Sequence, residues 1–363
     1  MLNRLCSWLG LRTELSPGQR SLIKERTRAR LWLEALEARE VPATFTVDSS
    51  LDVVDPTDGV ITLREAVAAA NDNGPGSDTI ILPAGNIVLT RGQLTINSNL
   101  TIDSVGPFTT IFRDPTAAPF RIFEIPQTVS CSMYSLNIEG GEATEGGAIK
   151  NDGSLYIQSC YLGFNKAFQN GGAISNNGDL TMLFSILQYN DAFGGSGGGI
   201  YNTHSATLAS CIVQNNLANS LGGGIYTNTT FDIDVQLTVT ESQIRSNASD
   251  VGGGIYVGGP RKTEISASSI DLNQAMSFGG GLAVYGTGPV NVFSTGIDEN
   301  SAGDGGGGAY LHDGTTVFFD ANSGFYENYL GDPDAPGVGI LKRPTTNLNN
   351  QADMGPGQDV SPP

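Results

Sequence analysis

The sequence predicts an all-β fold, a right-handed parallel β-helix of about ten coils that begins with a short capping helix. Three observations predict this solenoid: a Gly-Gly motif that recurs every 25 to 30 residues, an Asn motif in register with it, and short alternating strands between them. Each unit is too short and too rich in glycine for two packed helices. Equivalent strands of successive coils would pair about 4.8 Å apart.

The Gly-Gly motif precedes a small or aliphatic residue that we expect to point into the core. Seven copies occur, at Gly146-Gly147, Gly171-Gly172, Gly198-Gly199, Gly223-Gly224, Gly253-Gly254, Gly280-Gly281 and Gly307-Gly308. Because stacked coils place equivalent positions on one another, the copies predict an interior ladder of Ile149, Ile174, Ile200, Ile225, Ile255 and Leu282. The glycines would supply positive φ at a tight corner where no Cβ fits.

The Asn motif lies eight or nine residues before most of these aliphatic anchors, with a Cys, Ser or Thr five residues before each Asn. Its copies are Cys160 to Asn165, Ser185 to Asn190, Cys211 to Asn216, Ser242 to Asn247, Ser268 to Asn273, Thr295 to Asn300 and Ser323 to Asn328. Since Asn tolerates left-handed backbone, we expect a column of Asn side chains at one corner, each amide bonding its neighbours. Cys160 and Cys211 would lie two coils apart, about 9–10 Å, which is too far for a disulfide.

Composition divides the chain into four segments. We predict a sorting or processing segment at 1–42, a cap with irregular first coils at 43–135, regular repeats at 136–341 and a disordered tail at 342–363. Within the cap, Thr62 as N-cap and Glu65 at the third helical position form a capping box. This helix would cover the open first coil.

Two stretches resemble known families. The pairing of Gly-Gly-Ala-Ile with Leu162 to Asn165 and Leu187 to Asn190 resembles the repeat of chlamydial polymorphic outer membrane proteins, and more broadly bacterial right-handed β-helix repeat proteins. The resemblance implies a secreted or cell-surface β-helix, acting in adhesion in the first group. Leu33 to Ala43 resembles a stretch near the N-termini of exported planctomycete proteins. The apolar run after Met1 is broken by Arg4, so no transmembrane segment is predicted.

The chain is strongly acidic, with a net charge of −18. Residues 1–42 hold eight Lys and Arg against five Asp and Glu, or +3, which leaves −21 on the remainder. We therefore expect no nucleic-acid partner and no anionic membrane surface. Neutral polysaccharide, a divalent cation such as Ca²⁺, or simple solubility would suit this charge. No motif supports Ca²⁺, because the glycine run 303–308 has the wrong period for a calcium-binding repeat, so no cofactor is predicted.

No catalytic residue is predicted. The basic residues between 140 and 330 are Lys150, Lys166, Arg245, Arg261 and Lys262, and none stands beside a repeated acidic cluster. His204 and His312 lie four coils apart and would not share a site. Two groups of carboxylates could form acidic pockets or be exposed acidic loops; they are Asp232, Asp234 and Glu241, and Asp298, Glu299 and Asp304.

A column of tyrosines is the candidate ligand-binding surface. If the residue after Gly-Gly points inward, the next residue points outward, and this column reads Lys150, Ser175, Tyr201, Tyr226, Tyr256, Ala283 and Tyr310. The candidate binding residues are Tyr201, Tyr226, Tyr256 and Tyr310, as a flat strip on which sugars or protein partners stack. The alternative is that the rings stack on each other and stabilise the wall.

Two functions of different classes fit the predicted solenoid. The first is a non-catalytic extracellular or cell-surface protein that binds polysaccharide or cell-surface components in adhesion or matrix building. The second is a polysaccharide-degrading enzyme, a lyase or hydrolase, that works in a groove along the coils. Two or three carboxylates with a base on adjacent coils of one face would favour the enzyme. The repeat register shows no such cluster.

Overall fold

The fold is the predicted all-β class, a right-handed parallel β-helix of about nine turns with one short helix. The computed structural model describes residues 42–330, except 75, 107, 230 and 232, together with strand residues 340–342 and 347–348. The predicted sorting segment, apart from residue 42, lies outside the described residues. Strand pairing continues into the segment predicted as a disordered tail, through Ile340–Lys342 and Asn347–Leu348.

The strands form four parallel sheets, which we call the first to fourth faces in chain order. The first face holds Thr44–Thr46, Asp78–Leu82, Leu100–Ser104, Ser130–Tyr134, Ser154–Gln158, Asp179–Leu183, Ser205–Ala209, Val235–Thr240, Lys262–Ser266, Pro289–Phe293, Thr316–Phe319 and Asn347–Leu348. The second holds Gly85–Leu89, Thr109–Arg113, Leu136–Glu139, Tyr161–Gly163, Ile186–Gln188, Ile212–Gln214, Gln243–Arg245, Ser269–Asp271, Gly296–Asp298 and Gly324–Tyr326. The third holds Glu142–Ala143, Lys166–Ala167, Asp191–Ala192, Leu217–Ala218, Ala248–Val251, Gln274–Phe278, Ser301–Ala302 and Tyr329–Leu330. The fourth holds Leu94–Thr95, Phe123–Ile125, Ile149–Asn151, Ile174–Asn176, Ile200–Asn202, Ile225–Thr227, Ile255–Val257, Leu282–Val284, Ala309–Leu311 and Ile340–Lys342.

The core is a set of stacked ladders inside these faces. Every second residue of a strand points inward, so equivalent residues of successive coils lie on one another. Ile149 pairs with Ile174, and Ile174 with Ile200, as the repeat predicts. The predicted interior ladder is confirmed, since all its members are fully buried: Ile149, Ile174, Ile200, Ile225, Ile255 and Leu282.

The corner between the second and third faces carries the predicted Asn column, which we call the Asn ladder. The Nδ2 of Asn165 donates to Oδ1 of Asn190 at 3.0 Å, and the Nδ2 of Asn190 donates to Oδ1 of Asn216 at 2.9 Å. The same bond continues through Asn247, Asn273, Asn300 and Asn328. All seven side chains are buried, so this prediction is confirmed.

The left-handed residue of this corner is not the Asn, and in this detail the prediction is wrong. Positive φ falls on the residue before it, with φ of 56° at Phe164 and Tyr189 and 59° at Leu272. The left-handed residue turns the chain so that the following Asn points inward, where it can bond the neighbouring coils. A Cβ in this backbone costs about 1–2 kcal/mol relative to right-handed backbone.

The glycine motif also differs from the prediction in its register. Positive φ lies three residues before the aliphatic anchor, at Gly171 before Ile174 and at Gly197 before Ile200. In the copies from Gly198-Gly199 onward, the glycine with positive φ is therefore the residue before the predicted pair, as Gly197 is. The first glycine of the later pairs, such as Gly198 or Gly223, is required because the backbone of the next coil passes too close for a Cβ.

The helix, Leu63–Asp72, has the predicted capping box. The Oγ1 of Thr62 accepts from the backbone N–H of Glu65 at 3.2 Å, and Glu65 Oε2 accepts from the N–H of Thr62 at 2.9 Å. Leu63 and Val67 belong to the continuous core, so the helix covers the start of the solenoid. Arg64 secures it through a 2.6 Å ion pair with the buried Asp52.

The cysteines at the Asn-motif positions are free thiols, as predicted. Cys160 and Cys211 are buried, and so is the third described cysteine, Cys131. Burial raises the pKa of the Cys160 thiol to about 12 and that of Cys211 to about 11. Because the thiolate is the reactive form, these groups act as small interior residues.

Candidate functional site

The tyrosine column has the register that the sequence predicts. On the fourth face, Tyr201 pairs with Tyr226 and Tyr226 with Tyr256. Ala283 follows Tyr256, and Tyr310 follows Ala283. The column is therefore continuous across the coils from Tyr201 to Tyr310.

The rings of this column stack on each other. Tyr201 and Tyr226 have centroids 4.7 Å apart and planes 3° from parallel, and Tyr226 and Tyr256 are 5.3 Å apart at 5°. Tyr226 is 8% exposed, and Tyr310, which Phe278 contacts at 4.6 Å, is 1% exposed. Burial raises the pKa of Tyr256 to about 12. Both faces of Tyr226 are thus occupied by neighbouring rings, which leaves a sugar no face there to stack on.

Replacing Tyr226 with alanine is expected to lower the free energy of unfolding by about 1–3 kcal/mol, because two stacked pairs of about 0.5–1.5 kcal/mol each are lost. Urea denaturation followed by circular dichroism measures this. Tyr326→Ala removes an exposed ring on the second face and should cost less than about 0.5 kcal/mol. Equal stability of the Tyr226→Ala variant and the wild type would contradict a structural role for the stack.

A second group of aromatic residues is exposed, and we call it the aromatic platform. Phe164, Phe168, Tyr189 and Phe193 are 57%, 44%, 48% and 57% exposed. They flank the third-face strands Lys166–Ala167 and Asp191–Ala192, which pair with each other. Four exposed rings therefore lie on two consecutive coils, two at the corner before the third face and two directly after its strands.

The rings of the platform are ordered by contacts with one another and with a cation. Phe164 and Tyr189 stack at 5.1 Å with planes 23° apart. The ammonium of Lys166 lies 5.1 Å from the ring centroid of Phe193 and 5.8 Å from that of Phe168. Such cation–π contacts are worth about 0.5–1 kcal/mol at exposed sites. The platform is thus preorganised although it is open to solvent.

The kind of side chain at the left-handed corner position distinguishes the platform from the other coils. Phe164 and Tyr189 occupy the left-handed position before the ladder Asn, where large side chains are disfavoured. Other coils place Asn215, Ser246, Leu272, Glu299 and Glu327 at the same position, with the same left-handed backbone. Exposed aromatic side chains at Phe164 and Tyr189 contribute little to the core, so they are available for contact with another molecule.

Asp191 adds an unsatisfied polar group to the platform. Its Oδ1 is buried and has no hydrogen-bond partner within the described part of the chain. Burial raises the pKa of this carboxyl group, and the charge of Lys166 partly opposes the rise. The oxygen is enclosed by the protein and lies out of reach of a ligand in this conformation.

The corner between the fourth and first faces contains a cleft of about 390 Å³. Carboxylates of two coils line it, Asp152 and Asp179, with His204 on the next coil and Phe231 beyond it. The Nδ1 of His204 lies 3.2 Å from an oxygen of Asp179, and the ring of Phe231 contacts His204 edge-on at 5.1 Å. The structure thus brings together residues that stand at different positions of the repeat.

Lys150 and Asn177 hold the other carboxylate of this cleft. The ammonium of Lys150 lies 3.6 Å from Asp152, and the Nδ2 of Asn177 donates to Asp152 at 2.8 Å. Thr203 in turn donates its hydroxyl to Asn177 at 2.8 Å. The repeat register shows no repeated acidic cluster beside a basic residue, but the turns bring Lys150 and His204 next to Asp152 and Asp179. Lys150 lies on a strand and Asp152 lies in the turn after it, so the two occupy different positions of the repeat. A comparison of equivalent positions between coils therefore does not reveal the cluster.

A second ladder fixes the backbone beneath this cleft. The Nδ2 of Asn151 donates to Asn176 at 2.6 Å, and that of Asn176 donates to Asn202 at 2.7 Å. The Nδ2 of Asn202 donates to the hydroxyl oxygen of Thr227 at 3.0 Å. All four residues are buried, so the turns that carry the cleft residues rest on a rigid base.

An adjoining cleft of about 430 Å³ extends the same corner toward the capping helix. It shares Thr128 and Val129 with the first cleft, and its other lining residues include Asn71, Asn97 and Asn99. We call the two clefts together the corner groove. From Asn97 to Phe231 it crosses six coils, and the five spacings of about 4.8 Å between them give a length of about 24 Å.

Metal ligands are not grouped in the described part of the chain, where no three His, Cys, Asp or Glu side chains are placed to hold an ion. Of the predicted acidic groups, Asp232 lies outside the described residues. Burial raises the pKa of Asp298, and the negative charges of Asp271 and Glu299 raise it further.

No described helix is long and apolar enough to cross a membrane.

The chain matches no protein-family model and no curated protein. Among solved structures it is similar to the A-module of mannuronan C-5 epimerase AlgE6 from Azotobacter vinelandii. The two share 14% sequence identity with a TM-score of 0.45, over 83% of this chain and 94% of that one. This is a distant likeness, and the epimerase activity is that of the Azotobacter enzyme.

Proposed function

We propose that this protein is a non-catalytic extracellular or cell-surface β-helix that binds polysaccharide through the aromatic platform. The observation that carries the proposal is the set of four exposed rings on two consecutive coils. The C–H faces of a pyranose ring are apolar, so they lose water favourably against flat aromatic surfaces, while the hydroxyl groups remain solvated or bond to polar neighbours. Lys166 supplies such a neighbour within the platform.

The remaining properties of the chain agree with this role. A net charge of −18 disfavours nucleic acid and suits an uncharged polymer. Adhesion or matrix building at the cell surface would use a long, rigid scaffold that displays binding residues on its wall. Export to that location is part of the proposal.

The proposal predicts that Phe168→Ala and Phe193→Ala together reduce retention on insoluble polysaccharide at least about tenfold, since each ring supplies stacking area. A tenfold loss corresponds to about 1.4 kcal/mol. Retention is measured by sedimentation of the full chain with cellulose, chitin or an insoluble β-1,3-glucan. Phe184→Ala is the matched control, because Phe184 is also an exposed aromatic residue but lies at another corner. Retention that is the same in the double variant and in wild type would refute the proposal.

The rival function, a polysaccharide-degrading enzyme, is favoured by one observation, the cluster of Asp152, Asp179 and His204 on consecutive coils. A carboxylate beside a histidine can move protons to and from a sugar. The rival function requires that incubation with polysaccharide release new chain ends, and that Asp179→Asn abolish the release. A protein that retains polysaccharide and leaves its length unchanged is a binding protein.

A further inference from the structure

We infer that the corner groove is a second ligand-binding site, which takes an uncharged glycan chain lying along the axis of the solenoid. The site shares no residue with the aromatic platform, so the inference does not rest on the function proposed above. Its length of about 24 Å crosses six coils and suits a polymer rather than a single small molecule. The buried ladder beneath it holds the lining turns in fixed positions.

The polar lining of the groove matches hydroxyl groups. Carboxylate oxygens of Asp152 and Asp179 accept hydrogen bonds, and the amides of Asn97 and Gln127 both donate and accept. Hydroxyl groups of a sugar also do both, so a glycan chain could satisfy this mixture along its length. Bonds from a hydroxyl group to a carboxylate are roughly twice as strong as those between neutral groups.

The charge distribution of the groove disfavours an anionic ligand. Lys150, which lies 3.6 Å from Asp152, is the cation that accompanies this carboxylate. Asp179 has its side chain 66% exposed, and its partner is a histidine rather than a lysine or an arginine. A uronate chain in the groove would bring its carboxylates toward Asp179 on a protein of net charge −18. An uncharged chain avoids this repulsion.

Phe231 gives one end of the groove an apolar surface. Its ring is exposed, and its contact with His204 is edge-on, so a ring face is left uncovered by that contact. An exposed aromatic ring beside carboxylates can pack against the C–H face of a sugar while the carboxylates bond to the hydroxyl groups. The groove therefore combines both kinds of contact on neighbouring coils.

Calorimetric titration of the full chain with soluble oligosaccharides tests this inference. Cellohexaose and laminarihexaose represent uncharged glycans, and an oligogalacturonate of equal length represents anionic ones. We expect one of the uncharged probes to bind at least about tenfold more tightly than the oligogalacturonate. Phe231→Ala should lower the affinity for the uncharged probe about tenfold, which corresponds to about 1.4 kcal/mol.

Asp179→Asn gives a readout that a merely structural role would not produce. Binding of the uncharged probe should become weaker, because charge-assisted hydrogen bonds are lost. Binding of the oligogalacturonate should become tighter, because the repulsion from Asp179 is lost. Asp313→Asn is the matched control, an exposed carboxylate that follows the fourth face outside the groove, and should change neither affinity. Each groove variant is also compared in a Phe168→Ala, Phe193→Ala background, in which the platform no longer contributes to binding of the uncharged probes.

Three results would overturn the inference. They are failure of both uncharged probes to bind, oligogalacturonate binding as tight as theirs, and wild-type affinity in both Phe231→Ala and Asp179→Asn. Chromatography of the titrated mixture adds a fourth, because shortened oligosaccharides would identify the groove as a catalytic site. Loss of polysaccharide retention in the platform variants, by contrast, bears on the proposed function alone.

Discussion

Replacing Gly198 with alanine is expected to destabilise the solenoid by about 3 kcal/mol or more, or to prevent its folding. An added Cβ would lie 2.3 Å from the carbonyl oxygen of Gly223 and 2.5 Å from that of Leu217. Both are backbone atoms of the next coil, so relief would require the coils to separate along a paired strand. Losses of this size are exceptional for one methyl group and indicate overpacking against backbone.

Gly199→Ala is the matched control for this prediction. A Cβ on Gly199 would lie 2.7 Å from the carbonyl oxygen of Gly224, a less severe approach than at Gly198. The equivalent position in two earlier coils is alanine, at Ala148 and Ala173, so a small shift of the coil can accommodate a Cβ there. We expect a loss of about 1 kcal/mol, smaller than for Gly198→Ala. Urea denaturation of both variants measures the difference. Equal losses would show that the close approach of the next coil to Gly198 is not what excludes a side chain.

Replacing Asn216 with alanine is expected to lower the free energy of unfolding by about 2–6 kcal/mol, since four side-chain hydrogen bonds of about 0.5–1.5 kcal/mol each are lost. Its Oδ1 accepts from the backbone N–H and the Nδ2 of Asn190. Its Nδ2 donates to the carbonyl of Leu187 and to Oδ1 of Asn247. The backbone N–H of Asn190 would be left buried without this acceptor. Calorimetry or urea denaturation measures the change.

Asn219→Ala controls for the loss of an asparagine in the same coil, because Asn219 is exposed. Its cost should stay within about 0.5 kcal/mol. Asn216→Asp keeps the acceptor but loses the donor and buries a charge, so it should be no more stable than Asn216→Ala. A stable Asn216→Ala variant would mean that water or a shifted backbone replaces the ladder.

The interior and the Asn ladder could be predicted because they repeat. Stacking coils multiplies one local choice, so Ile149 and its successors, and Asn165 and its successors, appear in the sequence as periodic signals. The capping box could be predicted for a different reason, since Thr62 and Glu65 form it within a single turn. The left-handed positions were misplaced because periodicity identifies a corner and does not identify which of its residues turns the chain.

The platform and the corner groove could not be predicted from periodicity, because both depend on residues that break the repeat. Phe164 and Tyr189 occupy a position where other coils have Asn215 or Ser246, and only the backbone shows that this position points outward. Asp152 and His204 come together because turns of different coils share one corner. The sequence does contain a signal for the platform. An aromatic residue directly precedes Asn165 and Asn190, and a second one follows each Asn at the same separation.

The direction of the amide bonds in the Asn ladder has an electrical consequence. Each side-chain carbonyl points toward the coil before, and each N–H bonded to it comes from that coil, so all seven amides are aligned. Aligned amide dipoles add and polarise one another, as they do along a helix axis. The column therefore behaves as a macrodipole with its positive end at Asn328. A coil added to either end would strengthen bonds already made, and a break at its centre would weaken the coils on both sides.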